Sequence, residues 1–323
     1  MKKSTLVWLI VAAALVVSGI AIIGGVSAMI GFDFNMLSTN DYETNEHVIT
    51  DEFDKISIVT NTADVKFVVS EDESVKIVCH ERQKVKHRVS VNDGDLLIQR
   101  HDERKWYDYI GISWQSAEIT VYMPKSMLVD LKIETNTGKV DIPKGYKFES
   151  IDIKTDTGGV KLFCSANGEV KVRSDTGYVN IQGSTASLYD VHVSTGNVSL
   201  TNVRSSGNVK VGVTTGKTVA KLVRCASFIS EGDTGDVSMT DVIAKEKFSI
   251  ERSTGDVVFS KCDAAEISVL TDTGDVRGTL LSPKVFVVRT DTGDVFVPET
   301  TEGGKCKITT DTGDVRITVQ PTE

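Results

Sequence analysis

Ten copies of one short pattern govern what this chain can fold into. A Thr-Gly pair, followed two positions after the Gly by a β-branched residue, recurs at Gly138, Gly158, Gly177, Gly196, Gly216, Gly235, Gly255, Gly274, Gly293 and Gly313. Successive glycines are 19 or 20 residues apart throughout. Thr precedes the Gly in every copy, and Val stands two positions after it in all but one, where Thr218 takes its place. A short period held over 175 residues marks a repeat architecture. No single copy can bury its own apolar face, so stacking must supply the core.

One copy gives the geometry. From Ile267 to Val276, the residues Ile267, Val269, Thr271 and Thr273 fall at every second position, which places them on one face of a strand. After Gly274 the alternation resumes in a shifted phase, as in Val315, Ile317 and Val319 of the last copy. The Gly is therefore expected at a corner, where a residue without Cβ adopts a backbone closed to others. The Thr before each corner is expected to form a ladder exchanging hydroxyl bonds along the column. Two short strands per copy leave no room for a helical crossover. The expected fold is all-β: a parallel β-solenoid (a β-helix, right-handed) of 19–20-residue rungs, each stacked on the next about 4.8 Å apart. A β-propeller needs blades of about 40 residues and four strands. No odd–even alternation of copies supports that pairing.

The chain divides into four parts. Residues 1–32 read as a cytoplasmic tip and transmembrane signal anchor, 33–45 as a polar tether, 46–131 as atypical capping rungs, and 132–323 as the regular repeat. Within the capping part, Thr60-Asn61-Thr62-Ala63-Asp64-Val65 matches the motif with Ala at the Gly position. Val91 to Ile98 matches it loosely around Gly94.

Lys2 and Lys3 precede a charge-free stretch from Ser4 to Phe32. A bilayer core needs about 20 apolar residues in a helix, and this run exceeds that. The two lysines favour an N-inside orientation, giving a single-pass cell-membrane protein with an extracytoplasmic C-terminal domain. Val26-Ser27-Ala28 offers a small-residue cleavage site, but the apolar region is longer than the ~7–15 residues of a signal peptide, which favours a retained anchor. The part beyond the anchor carries 34 of the 36 basic residues and all 45 acidic ones, a net charge of −11. That balance argues against a nucleic-acid partner, because phosphate-backbone recognition rests on Lys and Arg.

The segments Ile56 to Val65, Ile119 to Pro124 and Leu131 to Gly138 resemble the bacterial adhesin-like family of unknown function, to which membrane-anchored LiaG-like proteins of Gram-positive envelope-stress operons belong. The resemblance covers roughly residues 48–319. It implies a β-solenoid at the cell envelope and carries over no catalytic residue.

Candidate chemistry lies first in the acidic columns. Asp236, Asp256, Asp275, Asp294 and Asp314 follow five successive corner glycines, and Asp also stands two positions before the Gly in six copies. Stacked rungs would align these carboxylates about 5 Å apart. Ca²⁺ takes six to eight hard oxygens, so the column is a candidate cation site. The plainer reading is that Asp and Asn accept backbone N–H bonds in tight turns. Carboxylate pairs also suggest a carbohydrate-active β-helix, but catalysis needs one pair in an environment unlike its neighbours. There is no Gly-x-Ser-x-Gly, His-Glu-x-x-His or Walker sequence. Cys79-His80 with His87 is the nearest approach to a ligand cluster and lacks a Cys-x-x-Cys partner. Cys79, Cys164 and Cys306 fall on inward strand positions, as small buried hydrophobes would. Trp106, Tyr107, Tyr109 and Trp114 crowd one non-repeating segment and are candidates for a contact surface or a plug closing the first rung. The sequence thus describes a non-enzymatic, membrane-anchored scaffold with no cofactor, partnered by an envelope protein or glycan. A Ca²⁺-dependent binding rod and a carbohydrate-active enzyme are the alternatives.

Overall fold

The computed structural model describes residues 3–29, 31–32, 41–71, 73–109 and 115–320. Helix α1 spans Lys3–Met29, and within its stretch Thr5–Met29 an 18-residue window reaches a mean hydropathy of 2.8. It is apolar on all sides and long enough to cross a membrane.

Everything after it is β. The first nine strands are β1 (Tyr42–Ile49), β2 (Lys55–Thr60), β3 (Asp64–Val69), β4 (Val75–Arg82), β5 (Val85–Asn92), β6 (Asp95–Asp102), β7 (Glu118–Met123), β8 (Asp130–Thr137) and β9 (Val140–Ile142). β1 begins inside the segment read as a tether because it pairs antiparallel with β4 over its whole length.

From β8 onward each rung contributes to two parallel ladders. Along the first, Leu131, Ile151, Val170, Tyr189, Val209, Phe228, Phe248 and Ile267 are successive partners. Along the second run Val140, Val160, Val179, Val198, Thr218, Val237, Val257 and Val276. All of these are buried. A fully buried Val, Leu, Ile or Phe contributes roughly 1.5–3 kcal/mol, so the column is held together mainly by this interior. The fold is the β-solenoid the repeat requires.

The corners explain the invariant Gly. Gly274 has φ +154°, and a Cβ placed on it would lie 2.1 Å from the carbonyl oxygen of Gly255 on the adjoining rung. The same contact recurs from Gly138, which sits on Ala63, to the far end of the stack. Ala63 stands where the other copies have Gly, and its carbonyl oxygen lies 2.3 Å from where a Cβ on Gly138 would sit.

The Thr ladder lies elsewhere than expected. Thr273 and its equivalents before each Gly are exposed. Pairing passes from Thr155↔Ser174 to Thr157↔Thr176 and skips one residue, so two successive side chains leave the core. The inward hydroxyls come three positions before the Gly. Thr310 Oγ1 donates to the Gly274 carbonyl at 3.2 Å, and Thr290 Oγ1 to that of Gly313 at 3.0 Å.

Rungs follow sequence order except at the two ends. The strand Gly304–Thr312 lies between Glu266–Thr273 and Lys284–Thr292, so the last copy is inserted and the ninth forms the edge. Cys306, Ile308, Val315 and Ile317 of the inserted copy are buried. In the edge copy Val287 and Phe296 are 49% and 57% exposed. The second strand of the edge copy is only Val295–Phe296, and Pro298 follows it. Proline has no N–H for a ladder and belongs at an edge. At the other end, β2 lies between β6 and β8, and β3 between β7 and β9.

The cap adds an antiparallel layer. β4 pairs with β1 and β7, and β5 with β6. Asp93-Gly94, read as a loose corner, is instead the β5–β6 hairpin turn. Both residues have positive φ (49° and 80°), the conformation that an Asp-Gly hairpin adopts.

Candidate functional site

The Asp column is present, and its oxygens are engaged. The Asp256 N–H donates to Asp236 Oδ1 (3.2 Å), Asp275 N–H to Asp256 Oδ1 (3.0 Å), Asp314 N–H to Asp275 Oδ1 (2.9 Å) and Asp294 N–H to Asp314 Oδ1 (2.9 Å). Each carboxylate therefore ties its rung to the next, and Asp294 ends the chain of bonds. Asn197 and Asp64 do the same for the amides of Lys217 and Lys139. Basic side chains take the outer oxygens. Lys217 Nζ lies 2.9 Å from Asp236 Oδ2, which holds that carboxyl below its ordinary range, and Arg277 lies 3.5 and 3.7 Å from Asp256 and Asp275.

One departure from the repeat sits inside this regular region. Arg252 occupies an inward position and is buried, and its Nη2 donates to Thr218 Oγ1 (3.1 Å) and Ser230 Oγ (2.8 Å). Gly232 lies alongside: a Cβ there would meet the Val213 carbonyl at 1.8 Å and Arg252 Nη1 at 3.0 Å. Thr218, the exception to Val, thus belongs to one buried polar cluster. Burial pushes the Arg252 guanidinium down to about 10.

The aromatic segment lies in the connection between β6 and β7. Trp106–Tyr109 form a short 3₁₀ turn, and Trp106 is 78% exposed. Trp114 and the side chains of Tyr107 and Tyr109 lie outside the described residues.

Beside this segment is a site that linear motifs did not reveal. A cavity of about 130 Å³ lies next to Thr60, Asn61 and Thr62. It is also lined by Tyr42, Arg82, Val85, His87, Arg100, Arg104 and Ala117. Thr60 Oγ1 lies 2.9 Å from His87 Nε2, and His87 Nδ1 lies 2.6 Å from Glu81 Oε2. The same Glu81 oxygen accepts the His87 N–H, and the other accepts Asn45 Nδ2 at 2.9 Å. Thr60, His87 and Glu81 are all buried, so the relay lies beneath the surface with its carboxylate fully bonded.

The arginines are held from separate directions. Arg82 Nε donates to the Tyr42 hydroxyl at 3.1 Å, with its guanidinium 5.9 Å from the centre of that ring. Arg104 grips Asp102 through Nε (2.9 Å) and Nη2 (2.8 Å), and Arg100 bonds the same carboxylate. The Arg104 hydrogen bonds hold the Asp102 carboxyl far below the usual carboxylate range.

Strand alternation separates the ligand cluster read from the sequence. His80 faces outward, stacks on Tyr42 at 5.1 Å and lies 3.2 Å from Thr44 Oγ1. Cys79 and Glu81 face inward and meet His87, forming a three-ligand cluster among the described residues. Burial pushes the Cys79 thiol up to about 12. All five cysteines are free and buried. Alternation along β4 was the signal that could have grouped Cys79 with Glu81. Nothing linear linked Arg82, Arg100 and Arg104, which the fold brings to one corner.

A family model described as Toastrack DUF4097 matches residues 53–216 and 204–322. None of the curated proteins searched matches the chain. Solved structures with a similar course include an adhesin-like protein of Bacteroides fragilis, at 15% identity and TM-score 0.44, covering 86% of this chain and 97% of that one. An adhesin-like protein of Parabacteroides distasonis, at 10% identity and TM-score 0.48, covers 87% of this chain and 98% of its own.

Proposed function

The chain belongs to the Toastrack DUF4097 family, and from that premise we propose that it is a non-enzymatic, membrane-anchored scaffold of the cell envelope. In this reading α1 is a retained anchor with its N-terminus inside. The solenoid stands outside the cytoplasm, and the cap carries the adhesin-like contacts, in the service of an envelope-stress response. The observation that supports it most is the division of labour between rungs and cap. In the regular rungs the recurring polar groups serve the stack, as Asp275 and Thr310 do. The cavity beside the Thr60–Thr62 corner, its arginines and the aromatic segment all belong to the non-repeating end.

Two measurements test the proposal. External protease on intact, wall-stripped cells should digest residues 33–323, and full protection would overturn the topology. A photo-crosslinker placed at Trp106 in living cells should capture an envelope component. One placed at Arg277, on the regular rungs, should capture far less; equal capture at both positions would remove the cap from its role.

A further inference from the structure

We propose that Cys79, Glu81 and His87 form a zinc site that pins the layers of the cap together. The inference does not depend on the scaffold reading and goes beyond it, to side chains that the repeat does not use.

Strand alternation builds the cluster. Cys79 and Glu81 stand two apart on β4 and both face inward, and His87 reaches them from β5. β4 pairs with β1 and β7, whereas β5 pairs with β6, and the two strands share only the pair Arg82↔Val85 at their turn. The three residues thus meet between two ladders. Their ligand atoms all lie within 4.8 Å of one another, and their exposures are 0%, 1% and 5%. It is the only such group of His, Cys, Asp or Glu among the described residues. A tetrahedral zinc ion, with bonds of about 2.0–2.3 Å, holds its ligand atoms roughly 3.3–3.7 Å apart. His87 Nδ1 and Glu81 Oε2 are 2.6 Å apart, and opening that contact by about 1 Å admits the ion.

Charge and donor type select the ion. Cys and Glu bind a metal as anions and His binds as a neutral ring, so one divalent cation makes the buried site neutral. A thiolate beside an imidazole suits Zn²⁺, whereas Ca²⁺ and Mg²⁺ take hard oxygens. Burial and then the Glu81 charge push the Cys79 thiol up to about 12, so it keeps its proton until a cation displaces it.

The surroundings are those of a ligand shell. A metal-bound His hydrogen-bonds through its other ring nitrogen, and a metal-bound carboxylate is itself hydrogen-bonded. His87 Nε2 lies 2.9 Å from Thr60 Oγ1 on β2, and Glu81 Oε1 accepts Asn45 Nδ2 from β1 at 2.9 Å. The His87 backbone N–H donates to Glu81 Oε2, which has a second lone pair for the ion. Nδ1, Oε2 and Cys79 Sγ are then the three protein ligands, and the fourth position goes to a water. The site ties β4 to β5 directly and draws in β1 and β2 through Asn45 and Thr60.

The test uses the untagged full chain in detergent with a phosphine reductant, freed of metal by EDTA. Zn²⁺ should bind saturably as a single equivalent and raise the melting temperature, and Ca²⁺ at the same concentration should do neither. Co²⁺ in its place should show a thiolate-to-metal charge-transfer band and the intense visible bands of a tetrahedral site. Cys79→Ser should abolish the charge-transfer band. It and His87→Gln should each weaken Zn²⁺ binding about a hundredfold or more, since each removes a ligand. Thr60→Val, which removes only the partner of Nε2, should weaken it about 10–100-fold. Cys306→Ser, at a buried thiol of the regular rungs, should leave binding and spectrum unchanged. Zn²⁺ binding no tighter than Ca²⁺, a Co²⁺ spectrum without the thiolate band, or binding unaffected by both Cys79→Ser and His87→Gln would overturn the inference. Should the two ligand variants fold poorly, the Co²⁺ spectrum of the native chain and the response to Thr60→Val decide it.

Discussion

A regular rung and the cap handle polar groups in opposite ways. On the rungs, Asp275 accepts the Asp314 amide and Thr310 donates to the Gly274 carbonyl, so both groups are answered by the copy beside them. In the cap, three arginines, a buried His–Glu pair and a cavity gather beside the Thr60–Thr62 corner. Arg252 stands between these extremes. It breaks the pattern inside the rungs, yet Thr218, Ser230 and Gly232 depart from it together and accommodate the guanidinium. The Asp column satisfies itself from rung to rung, whereas the buried hydroxyls of Thr135, Thr155 and Ser174, in the slot of Thr310, bond no described residue.

The strongest test exchanges glycines between the two regions. Gly274→Val forces a β-branched residue to φ +154° and drives its Cβ into the Gly255 carbonyl, so it should cost about 3 kcal/mol or more and disturb both adjoining rungs. Gly94→Asn in the cap hairpin meets only the Asp54 carboxylate, at 3.1 Å, in a conformation Asn tolerates, and should cost under about 1 kcal/mol. Denaturant melts of the two variants decide the point. Comparable losses would mean that the corners carry no special constraint.

Arg252 gives the next largest effect. Arg252→Ala should destabilise by about 2–4 kcal/mol, because it opens a void and strands two buried hydroxyls. Thr218→Val restores the residue found in the other nine copies and should nonetheless cost about 1–2 kcal/mol, since it removes an acceptor from a buried cation. Stabilisation by Thr218→Val would show that the cluster is a tolerated defect.

How much of this was legible follows from the range over which each residue acts. The rungs could be read because Ile267, Val276 and Gly274 each face a counterpart one period away, so the spacing carries the contact. The exposed Thr273 was misplaced because one skipped residue shifts the alternation, and no side-chain type announces the skip. The inserted last copy was invisible for a related reason. Copies this alike can pair in either order, and what distinguishes the edge is the short second strand before Pro298. The Asp column was visible as a row of residues, but its bonds to amides are a matter of distance. The cap cavity depends on β1, β2, β4, β5 and β6 bringing residues together with Arg104 and Ala117, which no local pattern encodes.

Acid should weaken the hold that Asp102 gives the cap. Folding lowers the Asp102 carboxyl below its ordinary 3.8 through the Arg104 hydrogen bonds. A group depressed in this way contributes stability that is fully present above its unfolded value and is lost as pH falls through its folded value. The difference in stability between the native chain and Asp102→Asn should therefore hold at about 1 kcal/mol above pH 5 and shrink below pH ~4. A gap that stays constant down to pH 2 would show that the Arg104 grip adds nothing.

The smallest effect is expected from Ca²⁺ on the Asp column, and it bears directly on the comparison. If the column serves only to tie rungs together, the inner oxygens of Asp236, Asp256, Asp275 and Asp314 are committed to amides, Asp294 stands at the open end, and the mutual repulsion of the five is screened within about 8 Å at physiological salt. Asp275→Asn with Asp294→Asn keeps an acceptor oxygen at each position and removes two charges, so the fold should survive. Added Ca²⁺ should then shift the melting temperature of the native chain no more than NaCl of equal ionic strength does, and the double variant should respond alike. A cation held only by the folded rod would instead add about 2.7 kcal/mol at a hundred times its Kd. A saturable gain of that size, abolished by the two Asn changes, would give the regular rungs a site of their own and end the division between rungs that stack and a cap that binds.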